Sequence, residues 1–151
     1  MKTIDPRMHS AEHILNRIMD RMFDCGRCFS AHIEKKKSKC DYRFERELSQ
    51  NEVAQIQAQV NDIIQKNMSV SEEYITRAAA VQHYNTEKLP PDSGDRIRII
   101  HIGDYDACPC IGPHVTSTKM IGSFRITSKS FENGVLRIRF KLSKSYKIIR
   151  E

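Results

Sequence analysis

The sequence predicts an α+β fold in two layers, with a mostly antiparallel sheet packed against two long helices. Three observations lead there. Two stretches carry apolar residues at a helical period, and several short stretches read as strands. The strands do not alternate regularly with helices, as a parallel βαβ sheet requires. The chain has 151 residues, of which 39% are apolar and 29% charged. That length suits one domain over residues 1–151, with a core that needs no disulfide staples.

The first helix is expected from residues 5–6 to residue 23. Asp5 suits the N-cap and Pro6 the first helical position. Met8, Ala11, Ile14, Leu15, Ile18, Met19 and Met22 form its apolar stripe, and Gly26 ends it. Residues 31–34 and 41–45 read as two strands around a polar turn at 36–39. Ser49 and Glu52 form a capping box for the second helix, and Leu48 is placed to staple on Val53. Val53, Ile56, Val60, Ile63 and Ile64 give that helix its buried face, and Asn67 stops it. A short strand is expected over 68–75 and a short helix over 78–80. Pro90, Pro91 and Gly94 make 87–95 a loop. Residues 96–102 form a strong strand, and 122–128 pairs with 135–142 as a hairpin around Asn133–Gly134.

The charge leans basic, with 25 Lys and Arg against 19 Asp and Glu, a net of +6. The cations gather at Lys35, Lys36, Lys37 and Lys39, and again at Lys141, Lys144, Lys147 and Arg150. Such clusters attract a polyanion by releasing its counterions, or simply keep a surface solvated. No apolar run approaches the ~18 residues of a membrane span. The start, MKTIDPRMHS, lacks the apolar region of a signal peptide. A cytoplasmic protein without membrane contact is therefore expected. No Gly-rich phosphate loop is present, so no ATP site is expected, and nothing in the sequence sets an oligomeric state. Five cysteines without an export signal read as free thiols or metal ligands.

His9 and His13 stand one turn apart on one helix face. That face lies roughly opposite the apolar stripe, beside Asn16 and Asp20, which argues against a buried core pair. Two readings remain, a solvated pair or half of a metal site. Cys110-Ile-Gly-Pro-His114 offers a second pair at the same spacing, with Gly112 and Pro113 supplying a turn that brings thiol and imidazole together. An ordinary turn around a buried Cys is the alternative. Together the four residues give three nitrogens and one sulfur, a plausible zinc set. A closed set of four is structural, whereas a catalytic site needs a loose ligand or an expanded shell. Cys25-Gly-Arg-Cys28 follows a helix instead of opening one, so it lacks dipole activation. Cys108 is too close to Cys110 for ordinary paired ligation and reads as packing or as a thiol standing behind the ligands. His32, His83 and His101 have no spaced partner.

The order HSAEHIL, VNDIIQKN, CIGPHV, IGSFRI resembles the second additional domain of threonyl- and alanyl-tRNA synthetases, and the freestanding AlaX-type editing proteins built from it. The resemblance runs from about His9 to Phe140. It implies a two-layer α+β domain that hydrolyses the ester at the acceptor end of mischarged tRNA. It also implies site or metal roles for His9, His13, Cys110 and His114, with zinc as the metal. Cys-Ile-Gly-Pro-His-Val, with Tyr105-Asp106 upstream, is closer to the threonyl pattern than to the alanyl Cys-Gly-Gly-Thr-His. Cys28-Phe-Ser-Ala stands near where alanyl-type domains carry Gln-x-Gly-Ser. A seryl ester, on tRNA(Ala) or tRNA(Thr), is common to both branches and is the expected substrate. A neighbouring carboxylate such as Asp20, or a neutral His in a metal-free site, is a candidate to move protons. The rival expectation is a non-catalytic tRNA-binding accessory module that keeps a metal for stability.

Overall fold

A computed structural model of the chain describes residues 4–87, 89–90 and 94–143. Helix α1 spans Pro6–Phe23, with Asp5 accepting from the Arg7 and Met8 amides at 2.8 and 3.1 Å. It ends at Phe23, three residues ahead of Gly26, because Asp24 takes the left-handed conformation at φ 53°. Strands β1 (Ser30–Ile33) and β2 (Ser38–Arg43) form an antiparallel hairpin. β2 begins three residues earlier than expected. Ser38 occupies a buried inward position there, and its hydroxyl exchanges hydrogen bonds with the Glu34 backbone at 3.1 and 3.2 Å.

Helix α2 spans Gln50–Gln65, and both halves of its capping box are present. The Glu52 amide donates to Ser49 Oγ at 3.1 Å, and the Ser49 amide donates to Glu52 Oε1 at 2.9 Å. Ile56, Val60, Ile63 and Ile64 are buried and Val53 is half-buried. Then follow β3 (Val70–Thr76), α3 (Arg77–His83), β4 (Arg96–Ile102), β5 (Asp106–Pro109), a 3-10 turn (Thr118–Ile121), β6 (Ser123–Glu132) and β7 (Val135–Ser143).

The strands make two antiparallel sheets, ordered β1-β2-β7-β6 and β3-β4-β5. The expected single sheet is thus corrected to two, and the short helix expected over 78–80 is α3, beside the two long ones. β4 causes the division. Its chain reverses through Gly103 into β5, so β3 and β5 occupy both of its edges. Periodicity reports which face of a strand is apolar and not which strand lies beside it. β5, four residues of mixed polarity, carried no alternation by which to find it.

The main core forms where α1 and α2 cover one face of the four-stranded sheet. Ile14, Leu15 and Ile18 of α1 meet Ile56, Val60 and Ile64 of α2 over Cys40, Tyr42, Leu136, Ile138 and Phe140. Each large apolar side chain buried there contributes roughly 2 kcal/mol by leaving water. A smaller cluster joins Ala80 of α3 to Ile97 and Ile99 of β4. Pro91 of the expected loop, and Lys144, Lys147 and Arg150 of the basic tail, lie outside the described residues. Among the described residues, no helix is long and apolar enough to cross a membrane.

Candidate metal centre

His9 and His13 are 7% and 4% exposed, which corrects the expectation that their helix face lies away from any core. The apolar stripe of α1 faces the four-stranded sheet. The opposite face is covered by β5 and the turn after it, so the helix is enclosed on two sides. Several bonds hold that cover in place. Ser10 Oγ accepts from the Val115 amide at 3.2 Å and lies 2.9 Å from His114 Nδ1. Arg98 Nη1 donates to the Cys110 and Gly112 carbonyls at 3.3 and 2.7 Å. A Cβ at Gly112 would land on the His9 ring, so glycine is what lets the turn approach the helix.

The ring tautomer of His9 follows from its partners. Its Nδ1 lies 3.1 Å from the Pro113 carbonyl, which only accepts, so Nδ1 carries the proton. Nε2 therefore keeps its lone pair, and the Cys110 thiol donates to it at 3.3 Å. The His9, His13 and His114 rings sit with centroids 4.3–5.0 Å apart. One ligand-type atom from each of His9, His13, Cys110 and His114 lies within 4.8 Å of all the others. Ligand bonds of ~2.0–2.3 Å place tetrahedral zinc donors roughly 3.3–3.7 Å apart, so a metal would draw the set in by about an ångström.

His114 Nε2 is buried and has no hydrogen-bond partner among the described residues. Leaving such an atom unsatisfied costs about 1–3 kcal/mol, which a metal in the cluster would relieve. Electrostatics suit the same group. Burial, with His9 and Arg98 nearby, pushes His114 down to about 3. Burial also lowers His9, against the opposing pull of Glu12 and the Pro113 carbonyl. Both imidazoles are thus neutral at pH 7, the form that ligates. Burial raises the Cys110 thiol, so ligation there releases a proton.

Two carboxylates flank the cluster, and Asp20 is not one of them. Asp20 stands seven residues beyond His13, about 10 Å along the helix, and accepts from the Gly26 amide at 2.8 Å. Glu12 is buried between the two histidines of the motif. Its Oε1 lies 3.7 Å from His9 Nε2, and its Oε2 accepts from the Cys28 thiol and the Asn16 amide, each at 3.4 Å. Asp106 of β5 pairs with Arg17 at 2.9 Å and Arg27 at 3.0 Å, and its Oδ2 lies 3.9 Å from His13 Nδ1. Sequence reasoning passed over Glu12, although its place three residues after His9 was the available signal.

The other cysteines and histidines stand apart from the cluster. Among the described residues Cys25, Cys28 and Cys108 form no disulfide, and burial raises the Cys25 and Cys108 thiols to about 11. His32 and His83 are exposed, and His101 pairs with Glu73 at 2.6 Å.

The fold and this cluster define an α+β protein with a three-histidine, one-cysteine donor set, in which His9 and His13 are buried and Cys110 and His114 half-buried. Residues 97–139 match the model of the threonyl and alanyl tRNA synthetase second additional domain. The chain is also similar to alanine–tRNA ligases. It is 34% identical over 140 residues to that of Cenarchaeum symbiosum, 32% over 141 to that of Methanosarcina mazei and 28% over 142 to that of Methanopyrus kandleri. Each match covers 89% of this chain and 15% of the ligase, so the chain spans a small part of its relatives' length. The chain therefore resembles the second additional domain of threonyl- and alanyl-tRNA synthetases over most of its length.

Proposed function

We propose that residues 1–151 act as one editing unit in the cytoplasm that deacylates mischarged tRNA. The reading takes Ser-tRNA(Ala) or Ser-tRNA(Thr) as substrate and a zinc ion held by His9, His13, Cys110 and His114. What carries it is the convergence of those four side chains in a chain similar to a stretch of alanine–tRNA ligases. Bound by those four residues, zinc would supply Lewis-acid chemistry toward the ester carbonyl or the substrate's amino group. The chain's own residues do the rest. α1 holds His9 and His13 on a rigid element, and Gly112 brings Cys110 and His114 to them. Cys110 is committed to the cluster and the Ser10 hydroxyl is buried between the Val115 amide and His114, so in this reading water attacks the ester directly. Glu12 Oε1, beside His9 Nε2, is placed to accept a proton from that water and to return it to the ribose oxygen as the ester C–O bond breaks.

Four protein donors close a tetrahedral shell, the pattern of a structural site. That favours, as a second reading, a tRNA-binding accessory module without hydrolysis. Release of labelled serine from Ser-tRNA(Ala) and Ser-tRNA(Thr), assayed side by side, separates the two. Editing predicts release from at least one of them well above the spontaneous rate. A pocket without specific polar contacts discriminates a methyl or hydroxyl difference by only ~1–3 kcal/mol. No release from either tRNA, with about one zinc bound per chain, supports the accessory module. Cys110→Ala is expected to lower zinc content and Cys25→Ala to leave it unchanged, by elemental analysis.

A further inference from the structure

The chain's net positive charge is concentrated in one sheet. Residues 30–43 and 123–143, which contain β1, β2, β6 and β7, hold ten lysines and arginines against three acids. That is a net of +7 in a chain whose total is +6. Strand alternation then sorts these residues by face. Cys40, Tyr42, Leu136, Ile138 and Phe140 point into the core, so Lys39, Arg137, Arg139 and Lys141 point away from the helices. Register aligns them across the strands. Lys39 stands between His32 and Arg139, Arg139 is opposite Ser128, and Lys141 is opposite Arg125. Of Arg125, Arg137, Arg139 and Lys141, only Arg137 lies within ion-pairing distance of a carboxylate among the described residues. Its partner is Asp41, at 2.8 Å. At the β1 edge the face becomes concave, with a cavity of about 240 Å³ lined by His32, Lys37, Ser38, Lys39, Arg139 and one acid, Glu34.

The strongest end of this face is also the end nearest the metal cluster. Ser38 pairs with Phe140, so the turn carrying Lys35, Lys36 and Lys37 lies alongside Lys141. β7 finishes there at Ser143, whose carbonyl accepts from Arg7 Nη2 at 2.9 Å, and Arg7 stands two residues before His9 on α1. Aligned cations with hydroxyls between them, set around a shallow cavity, suit a chain of phosphates more than a flat acidic protein.

The geometry points to the outer face of the β1-β2-β7-β6 sheet as a track for an RNA phosphate backbone, leading over the Ser143–Arg7 end toward the cluster. The direction of the track rests on the proposed editing reaction. The RNA contact does not, because it is measured on unacylated tRNA.

The test is the salt dependence of binding to unacylated tRNA. It compares the full chain with a quadruple variant, Lys39→Gln, Arg125→Gln, Arg139→Gln and Lys141→Gln. A control removes four cations elsewhere, Arg21→Gln, Arg46→Gln, Lys66→Gln and Arg96→Gln. Circular dichroism melts confirm that both variants fold. The sheet variant is expected to flatten the slope of log K against log salt by about 0.9 for each phosphate no longer neutralised, three units or more in all. The control should flatten it by less than one unit. Equal flattening in both variants would mean diffuse attraction by net charge and would overturn the proposal. So would an unchanged RNA slope, including one accompanied by weakened binding to vesicles of anionic lipid, which would assign the face to a membrane surface. Failure of serine release bears on the reaction and leaves this result standing.

Discussion

Gly112→Ala is expected to lose most of the bound zinc and to slow serine release roughly 100-fold, the scale on which small misplacements of a reacting group are felt. The cause is steric. The new methyl would occupy the space of the His9 ring, with its Cβ also 2.7 Å from His9 Nδ1. Either the ring rotates away from Pro113 and Cys110, or the turn lifts off α1. Both movements separate the helix-borne pair from the turn-borne pair. Arg98 clamps the turn through the Gly112 carbonyl, so it cannot yield by a small shift. Ile111→Ala, next door but 66% exposed, is expected to keep zinc and rate. Elemental analysis and single-turnover deacylation read both variants. Full zinc content in Gly112→Ala would show that the turn is not held against the helix.

Asp106→Asn is expected to lower stability by about 3 kcal/mol, the scale for breaking a buried ion pair. That corresponds to a fall in melting temperature of about 10 °C for a chain of this size. The Asp106 side chain is fully buried between Arg17 and Arg27, which are 29% and 27% exposed. Without the carboxylate, two guanidiniums face each other at the seam between α1 and the second sheet. His13 also loses the carboxylate near its Nδ1. Partners of that kind orient a ligating imidazole, and their removal typically costs 10- to 100-fold in metal affinity. Chemical denaturation and zinc competition check the two effects separately. A variant as stable as the parent would mean that the arginines are served by other carboxylates.

The parts of the fold that sequence reasoning reached are those written in short-range patterns. Ser49 and Glu52 announced α2, and the β4 strand over residues 96–102 was read to the residue. Asn133–Gly134 announced the β6–β7 hairpin, with Asn133 at φ 52° and Gly134 at φ 78°. The division into two sheets was not legible, because it depends on which strands meet and not on how any one alternates. The burial of His9 and His13 was misread for a related reason. A helical wheel shows that they oppose the stripe, but it cannot show that β5 and the turn at 110–115 close over them. Two ligand pairs at x3 spacing were visible as pairs. Their carboxylate neighbours were harder to find. Asp106 comes from a strand too short to alternate, and Glu12 hides inside the motif as an ordinary helix former. Asp20, chosen from the wheel, is instead occupied at the helix end by the Gly26 amide.

Single-turnover deacylation of a seryl-tRNA substrate by the parent chain, His13→Ala and His114→Ala, with zinc content measured on the same samples, tests the central claim most directly. Both variants are expected to lose zinc and to slow by at least 100-fold, with no covalent aminoacyl-Cys110 trapped in the parent. Equal rates in all three proteins would contradict the claim, by removing the reaction from the cluster that His9, His13, Cys110 and His114 form.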